Sequence, residues 1–206
     1  MKELALHIMD IMQNSITAES SIISVGVKAL DLDGLVTITV ADNGCGMDEE
    51  TLRRATDPFH TSRATRLVGL GLPMFKEAAQ QTGGDFKLES EKGVGTLLTA
   101  SFVNESLDRQ PLGNLGNVFF LTMLSHQDLD LKLELSSYMG TFSFDSKLFS
   151  EGLLKRGSNQ MDAAFRAETF INEQVNFIFK DTLPELGGGL HDLKRNRQAD
   201  PGAAAL

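Results

Sequence analysis

The sequence predicts an α+β fold, because helical and strand patterns alternate along its first half. Residues 2–19 are apolar on nearly every side, which is typical of a buried helix. Residues 22–28 and 35–41 are β-branched and alternating, and the polar residues between them predict a hairpin. The first unit continues with one helix and two strands, predicted at 70–82, 85–90 and 95–103.

A short helix and a loop are predicted after the hairpin. Residues 48–55 indicate a helix with Asp48 as its N-cap, because a carboxylate there accepts hydrogen bonds from the free N–H groups. Residues 56–68 are rich in Thr, Ser and Arg and therefore indicate a loop.

A boundary is predicted at 104–114, where polar residues, a proline and a glycine interrupt the periodic pattern. We therefore expect a domain over 1–106 and a small α+β appendage over 112–183. Residues 184–206 combine a glycine run with scattered charge, which predicts a disordered tail. The elements expected in the appendage are a helix at about 115–127, strands at 130–136 and 141–145, and a helix at about 160–180.

The composition argues against several classes of protein. The chain has 206 residues and a formal charge of −9, whereas a nucleic-acid-binding face needs clustered Lys and Arg, and anionic membrane surfaces are disfavoured for the same reason. The single cysteine, Cys45, excludes an intrachain disulfide and fits a reducing compartment. No apolar run approaches the roughly 20 residues of a membrane span, so we expect a cytoplasmic protein. The sequence does not predict the oligomeric state.

The buried helix carries three informative polar residues. His7, Asp10 and Asn14 share one flank of an otherwise apolar rod, so this flank must face something polar. An amide and a carboxylate one turn apart suit a hydrated Mg²⁺, with Asn14 as the protein ligand. For these three residues alone, a satisfied network of buried polar groups is the preferred interpretation.

Three glycine-containing segments follow in order. Residues 42–47 (DNGCGM) place Asp42 at a strand end, where its carboxylate can accept a hydrogen bond from an exocyclic amine. Gly69 and Gly71 open a helix, whose free N–H groups suit phosphate. The turn before the last strand leaves the Thr96 hydroxyl at a strand start. Each segment alone is also compatible with an ordinary turn.

In this order the segments HIMDIMQNS, DNGCGM, DPF and GLGL resemble the ATPase domain of the GHKL superfamily, named for gyrase, the heat-shock chaperone, histidine kinases and the mismatch-repair protein. The resemblance covers His7 to Phe102, about half of the chain. Stand-alone bacterial ATP-binding proteins kin to sensor histidine kinases, without a phosphoacceptor domain, are similar. The resemblance implies a Bergerat-type two-layer α/β sandwich, with a mixed sheet and helices on one face.

The resemblance implies ATP and Mg²⁺ as ligands and assigns roles to particular residues. Asn14 would ligate Mg²⁺, Asp42 would receive the adenine amino group, and Thr96 would hold the adenine through a water molecule. The adenine floor would be shaped by Gly44, Gly46 and Met47.

The resemblance also implies a lid over the phosphates. Phe59 belongs to the segment that leads into the lid, Arg63 or Arg66 would meet the γ-phosphate, and Gly69 and Gly71 would contact the phosphates. We expect residues 57–68 to be mobile without nucleotide and to be ordered by phosphate contacts.

Two departures from the family pattern bear on activity. Hydrolytic members carry a glutamate base where this chain has Asp10, whose arm is one methylene shorter, so slow hydrolysis is the expectation. The first motif begins near residue 3, so we expect no complete autophosphorylating sensor kinase.

The sequence thus predicts an Mg-ATP-binding regulatory protein that acts on or through a partner protein, with 112–183 as the partner-binding segment. A slow ATPase switch and a non-catalytic ATP sensor are the alternatives. If the protein is an enzyme, it is expected to be a protein kinase or an ATP hydrolase.

Overall fold

A computed structural model of the chain describes residues 3–30, 34–56, 71–180 and 182–183. The strands are β1 (Ile22–Leu30), β2 (Leu35–Asp42), β3 (Phe86–Glu91), β4 (Gly95–Val103), β5 (Asp130–Ser137) and β6 (Gly140–Asp145). The helices are α1 (Leu4–Thr17), α2 (Glu49–Arg54), α3 (Gly71–Gln81), α4 (Leu115–Ser125), α5 (Ser146–Leu154) and α6 (Gln160–Phe179).

The strands form one mixed sheet in the order β3-β4-β2-β1-β5-β6. β1 pairs with β2 antiparallel and with β5 parallel, and the remaining pairs are antiparallel. The sequence therefore correctly predicts an α+β fold, and the mixed sheet agrees with the Bergerat architecture that the resemblance implies.

The main core lies between one face of the sheet and the helices. Val25 and Val27 of β1 and Ile38 and Val40 of β2 are buried on this face. Alternate residues, such as Thr39, point to the opposite face and are partly exposed. This period-two alternation is the pattern that predicts the hairpin, because successive strand residues face opposite sides.

The predicted elements of the first unit are present with small shifts at their ends. Asp48 caps α2 by accepting a hydrogen bond of 2.8 Å from the Thr51 N–H. Helix α3 ends at Gln81, just before Gly83, which has a φ of 84°. A glycine in this left-handed conformation commonly ends a helix, because it has no Cβ to strain the backbone.

The C-terminal unit extends the same sheet. Its strand β5 runs parallel to β1, with Ile22 opposite Asp130 and Ala29 opposite Ser137. The predicted helices and strands of this unit are found, whereas α5 is an additional helix that the sequence reading did not include. The division at 104–114 falls in the connection between β4 and α4, and it stays a prediction.

Helices α4 and α6 pack closely at Gly116, where an added Cβ would overlap the Glu168 carbonyl oxygen. Asn172 of α6 accepts a hydrogen bond of 3.0 Å from the Gly116 N–H. Its side-chain amide also donates to Asn114 Oδ1 at 2.9 Å. This amide therefore ties the start of α4 to the middle of α6.

Candidate functional site

A cavity of about 570 Å³ opens between α1, α2 and the adjoining ends of β2 and β4. Polar groups from three distant parts of the sequence meet in it, because Asn14, Asp42 and Thr96 all line its wall. Its other lining residues include Ile11, Ser15, Val40, Cys45, Gly46, Met47, Thr51, Arg54, Leu72, Leu88 and Leu98.

Asp42 is held in a fixed orientation at the end of β2. Its Oδ2 accepts a hydrogen bond of 2.7 Å from the Ser15 hydroxyl, and its Oδ1 accepts one of 2.9 Å from the Gly44 N–H. A carboxylate oxygen can accept more than one hydrogen bond, so both donors leave room for a further donor from a ligand. The carboxylate is thus a pre-oriented acceptor facing the cavity.

Thr96 belongs to a second small network. The Ser90 hydroxyl lies 2.9 Å from Thr96 Oγ1 and accepts a hydrogen bond of 2.9 Å from the Met47 N–H. The Ser90 hydroxyl also donates to the Gly95 carbonyl oxygen at 2.8 Å. This network fastens the loop after β2 to the hairpin of β3 and β4.

The glycines of this loop permit backbone contacts that a side chain would block. Gly46 has a φ of 62°, and an added Cβ would overlap the Glu91 carbonyl oxygen. A Cβ at Gly44 would lie 2.7 Å from the Ala18 carbonyl oxygen, at the end of α1. The two glycines therefore let the loop pack tightly between α1 and the β3–β4 hairpin.

Asn14 is exposed and lines the cavity, and the structure gives its side chain no hydrogen bond to any described residue. Its amide oxygen is therefore available to a ligand. Mg²⁺ takes oxygen ligands and commonly uses only one or two from the protein, keeping water and phosphate oxygens for the rest. The residues present fit this ion, with Asn14 as the side chain that would hold it.

Asp10 lies one helical turn before Asn14 and is partly buried. Burial raises the pKa of its carboxyl above the ordinary value, because desolvation disfavours the charged form. A Cβ placed on Gly71, the first residue of α3, would lie 3.1 Å from the Asp10 Cβ. The carboxyl therefore sits beside the start of α3.

His7 is a core residue and does not line the cavity, contrary to the expectation that its flank of α1 faces the pocket. It is 1% exposed, and its ring stacks on Phe75 with a centroid distance of 5.2 Å. Its Nε2 lies 3.1 Å from Gln110 Oε1. Burial lowers the pKa of the imidazole, so the neutral ring is favoured.

The lid residues lie outside the described part of the chain: Phe59, Arg63, Arg66 and Gly69. The same holds for the loop expected at 57–68 and for the tail expected at 184–206. Gly71 is described and begins α3.

Sequence reasoning did not find Ser15 and Ser90, which orient Asp42 and join Thr96 to Met47. Ser15 follows Asn14 directly on α1, which is a usable signal, because a buried helix seldom carries a hydroxyl without a partner. Ser90 carries no comparable signal, since serine on an edge strand usually faces solvent.

The sequence profile of the histidine kinase-, DNA gyrase B-, and HSP90-like ATPases matches residues 2–106. The chain belongs to this family. Membership supports ATP binding, and the matched segment contains every residue of the cavity wall named above.

Particular relatives are similar to the same part of the chain. A putative sensor protein of Shewanella frigidimarina is 31% identical over 105 residues, which are 49% of this chain and 16% of that protein. Sporulation kinase E of Bacillus subtilis is 41% identical over 75 residues, covering 36% of this chain and 10% of the kinase. Histidine protein kinase DivJ of Caulobacter vibrioides is 37% identical over 79 residues, covering 36% of this chain and 13% of the kinase. The chain thus spans less than a fifth of the length of each of these relatives.

The comparison with solved structures gives a weak match to the N-terminal domain of a DNA repair protein. It matches with a TM-score of 0.45 and 14% identity, over 70% of this chain and 52% of that one.

Among the helices described for this chain, none has the length and apolar character that crossing a bilayer requires.

Proposed function

We propose that the chain is an Mg-ATP-binding regulatory protein that acts on or through a partner protein. The observation that carries the proposal is the meeting of Asn14, Asp42 and Thr96 in one cavity. The Asn14 amide on α1 can bind a cation, and the Asp42 carboxylate at the end of β2 can accept a hydrogen bond from an amine. Together they suit a ligand with phosphates at one end and a purine at the other.

The adenine would lie against the inner wall of the cavity. Asp42, oriented by Ser15 and by the Gly44 N–H, would accept a hydrogen bond from the exocyclic amino group. Guanine has a carbonyl at that ring position, and this oxygen would face the carboxylate without a proton between them. The site should therefore prefer ATP to GTP. Apolar contacts to the base would come from Ile11, Val40, Met47, Leu88 and Leu98.

The phosphates would lie towards Asn14, the residue that would hold Mg²⁺. When bound, the ion would neutralise part of the phosphate charge. Gly71 at the start of α3 would offer its backbone N–H, since a helix N-terminus favours anions. Gly69 and one of Arg63 and Arg66 would complete the phosphate contacts. The purine is thus recognised by β2 and β4, and the phosphates by α1, α3 and the segment before α3.

Regulation through a partner is the favoured output, because the relatives include proteins named as kinases and a sensor protein. Transfer of the γ-phosphoryl group to a partner side chain would leave ADP, and the attacking group would lose its proton. Residues 112–183 would provide the partner-binding surface. The single Cys45 and the use of ATP fit a cytoplasmic protein.

A slow ATPase is the second candidate, favoured by the position of Asp10 beside the start of α3. A carboxylate with a raised pKa can accept a proton from water as the water attacks the γ-phosphorus. A pure ATP sensor would bind nucleotide and carry out neither reaction.

Calorimetric titration with ATP, ADP and GTP, with and without Mg²⁺, tests the binding proposal. We expect ATP to bind in the presence of Mg²⁺, GTP to bind more weakly, and Asp42→Asn to abolish the preference. Asp128→Asn removes the same charge from an exposed turn outside the cavity and should change nothing. Equal affinity for ATP and GTP, or binding unaffected by Asp42→Asn, would refute the assignment of Asp42.

Incubation with γ-labelled ATP then separates the three outputs. Label on a partner in cell extract supports transfer, released phosphate supports hydrolysis, and binding with neither supports a sensor. Partner labelling that survives Asn14→Ala would remove the kinase proposal.

A further inference from the structure

The two edges of the sheet have opposite surface chemistry. On β3 the exposed positions are charged, with Lys87, Glu89 and Glu91 in alternation. On β6 the corresponding positions are Thr141 and Ser143, and the strand carries no charge before Asp145, its last residue. Charged side chains are a common protection of an edge strand against pairing with another chain. β3 has this protection and β6 lacks it.

The backbone of β6 offers hydrogen-bonding groups on its outer side. Ser137 pairs with Gly140, so the hairpin of β5 and β6 closes through a two-residue turn. The closing pair of such a hairpin is hydrogen-bonded, and alternate residues therefore point their N–H and C=O groups outward. These residues are Thr141, Ser143 and Asp145. Asp145 is also the N-cap of α5, so its carbonyl oxygen accepts the first hydrogen bond of that helix. For the other outward groups of β6, no further backbone hydrogen bond is found within the described residues.

Exposed apolar side chains lie on α5 and α6, the two helices that contact β6. Phe170 of α6 is 36% exposed and contacts Phe142 of β6 at a centroid distance of 5.4 Å. Phe177, two turns further along α6, is 58% exposed, and Leu148 of α5 is 70% exposed. Scattered exposed apolar residues are normal on a protein surface, but an unprotected strand edge beside three of them is a surface of mixed backbone and apolar character.

The segment that contains β6, α5 and α6 has a balanced charge, in contrast to the chain as a whole. The net charge is −9, so most surfaces of two copies repel each other. Residues 140–180 carry five basic and five acidic side chains and are neutral. The basic residues are Lys147, Lys155, Arg156, Arg166 and Lys180, and the acidic residues are Asp145, Glu151, Asp162, Glu168 and Glu173.

We propose that β6 pairs antiparallel with β6 of a second copy of this chain, forming a twofold dimer with a continuous sheet. With Ser143 on the twofold axis, its outward N–H and C=O bond to those of the partner's Ser143. Thr141 then lies opposite the partner's Asp145. Lys132 Nζ lies 3.8 Å from Asp145 Oδ2, so the lysine partly compensates the negative charge of this carboxylate. A strand edge that pairs with itself is self-complementary, as a twofold interface requires.

The strand alone is too short for a stable interface. A stable protein interface buries about 800 Å² on each partner, and six residues of edge backbone supply only part of that. Leu148 borders the same surface depression as Ser143 and Asp145. Phe177 lies two turns after Phe170, on the side of α6 that contacts Phe142, and the two side chains would supply the apolar remainder. The dimer therefore depends on both the backbone groups of β6 and these side chains.

The mass of the full chain in solution, measured by light scattering across a range of concentrations, tests the proposal. We expect a dimer for the unmodified chain and a monomer for Ser143→Pro. Proline removes the outward N–H and adds bulk at the axis, while no hydrogen bond to β5 is lost, and proline is tolerated on edge strands in this orientation. Ser143→Ala keeps the N–H and should remain dimeric.

Phe177→Ser provides a second test at an exposed position, where folding does not depend on the side chain. It should raise the dissociation constant of the dimer at least ten-fold, and far-ultraviolet circular dichroism should show that both variants are folded. A monomeric unmodified chain at the highest concentration refutes the proposal, as does a dimer that Ser143→Pro leaves intact. The inference does not depend on the nucleotide site.

Discussion

The Ser15 hydroxyl donates a hydrogen bond of 2.7 Å to Asp42 Oδ2 and so joins helix α1 directly to the end of strand β2. Ser15 is buried beside Asn14, the proposed cation ligand, on the same helix. The two ends of the proposed nucleotide site are therefore coupled through adjacent residues, because any shift of α1 moves both the amide and the donor that orients the carboxylate.

We expect Ser15→Ala to weaken ATP binding without unfolding the protein. The variant leaves Asp42 with the Gly44 N–H as its remaining intramolecular donor, so the carboxylate is less firmly oriented. Loss of one such hydrogen bond costs about 1 kcal/mol, or about five-fold in affinity. Calorimetric titration measures the change. Thr169→Ala, which removes a hydroxyl bonded to a helix carbonyl on α6, is the control and should bind ATP normally.

Alanine substitutions at Gly34 and Gly46 can distinguish the cost of backbone strain from the cost of a steric clash. Gly34 and Gly46 have φ values of 60° and 62°, so alanine is equally strained at both, by about 1–2 kcal/mol. An added Cβ meets nothing within 4 Å at Gly34, whereas at Gly46 it overlaps the Glu91 carbonyl oxygen. We expect Gly46→Ala to lower the free energy of unfolding by more than Gly34→Ala and to impair ATP binding. Equal losses in urea denaturation would show that the loop relaxes.

Sequence patterns predict the first unit well because its information is local. The hairpin of β1 and β2 follows from alternation and a polar turn, and Asp42 follows from its place at a strand end. The parallel pairing of β1 with β5 joins residues about a hundred positions apart, and no local pattern specifies which strand is the neighbour.

Helix α5 was missed because β6 passes into it without a glycine or proline between them. The signal that could have shown it is Asp145, which caps α5 by accepting a hydrogen bond of 3.0 Å from the Leu148 N–H.

The predicted position of His7 was wrong for a different reason. Helical periodicity places it on the flank of Asp10, but it cannot show that Phe75 and Gln110 cover this end of the flank.

We expect Asp10→Asn to abolish any phosphate release, because an amide cannot accept the proton of the attacking water. Burial raises the pKa of Asp10, so the base is protonated at a higher pH than an exposed aspartate. The rate should therefore fall with decreasing pH through a midpoint above the ordinary value of 3.8. Asp10→Glu restores the longer arm of hydrolytic relatives and should raise turnover. Unchanged phosphate release in Asp10→Asn would disprove the assignment.

The buried His7 should make stability depend on pH. Its pKa is lowered in the folded state from the ordinary value of 6.5, so below that pH the unfolded chain binds a proton that the folded chain does not. The free energy of unfolding should thus decrease as the pH falls from 6.5 towards the folded pKa. One proton gives a slope of at most about 1.4 kcal/mol per pH unit.

Urea denaturation at a series of pH values measures this slope. His7→Phe keeps a ring against Phe75 and removes the titrating group, so it should reduce the slope below pH 6.5 by up to about 1.4 kcal/mol per pH unit. Gln110→Ala removes the hydrogen-bond partner of the ring and keeps the imidazole, so its slope should persist. A slope unaffected by His7→Phe would assign the effect to another group.

The shared sheet implies that residues on either side of the predicted boundary unfold together. Asn172→Ala removes the acceptor of the Gly116 N–H, and a buried donor without a partner costs about 1–3 kcal/mol. Asn176→Ala, at an exposed position one turn later on α6, is the control and should cost little. Because β5 pairs with β1 along its length, the loss in Asn172→Ala should appear equally in a probe of either unit. Two separate transitions, of which Asn172→Ala moves only one, would instead favour the predicted division into independently folding units.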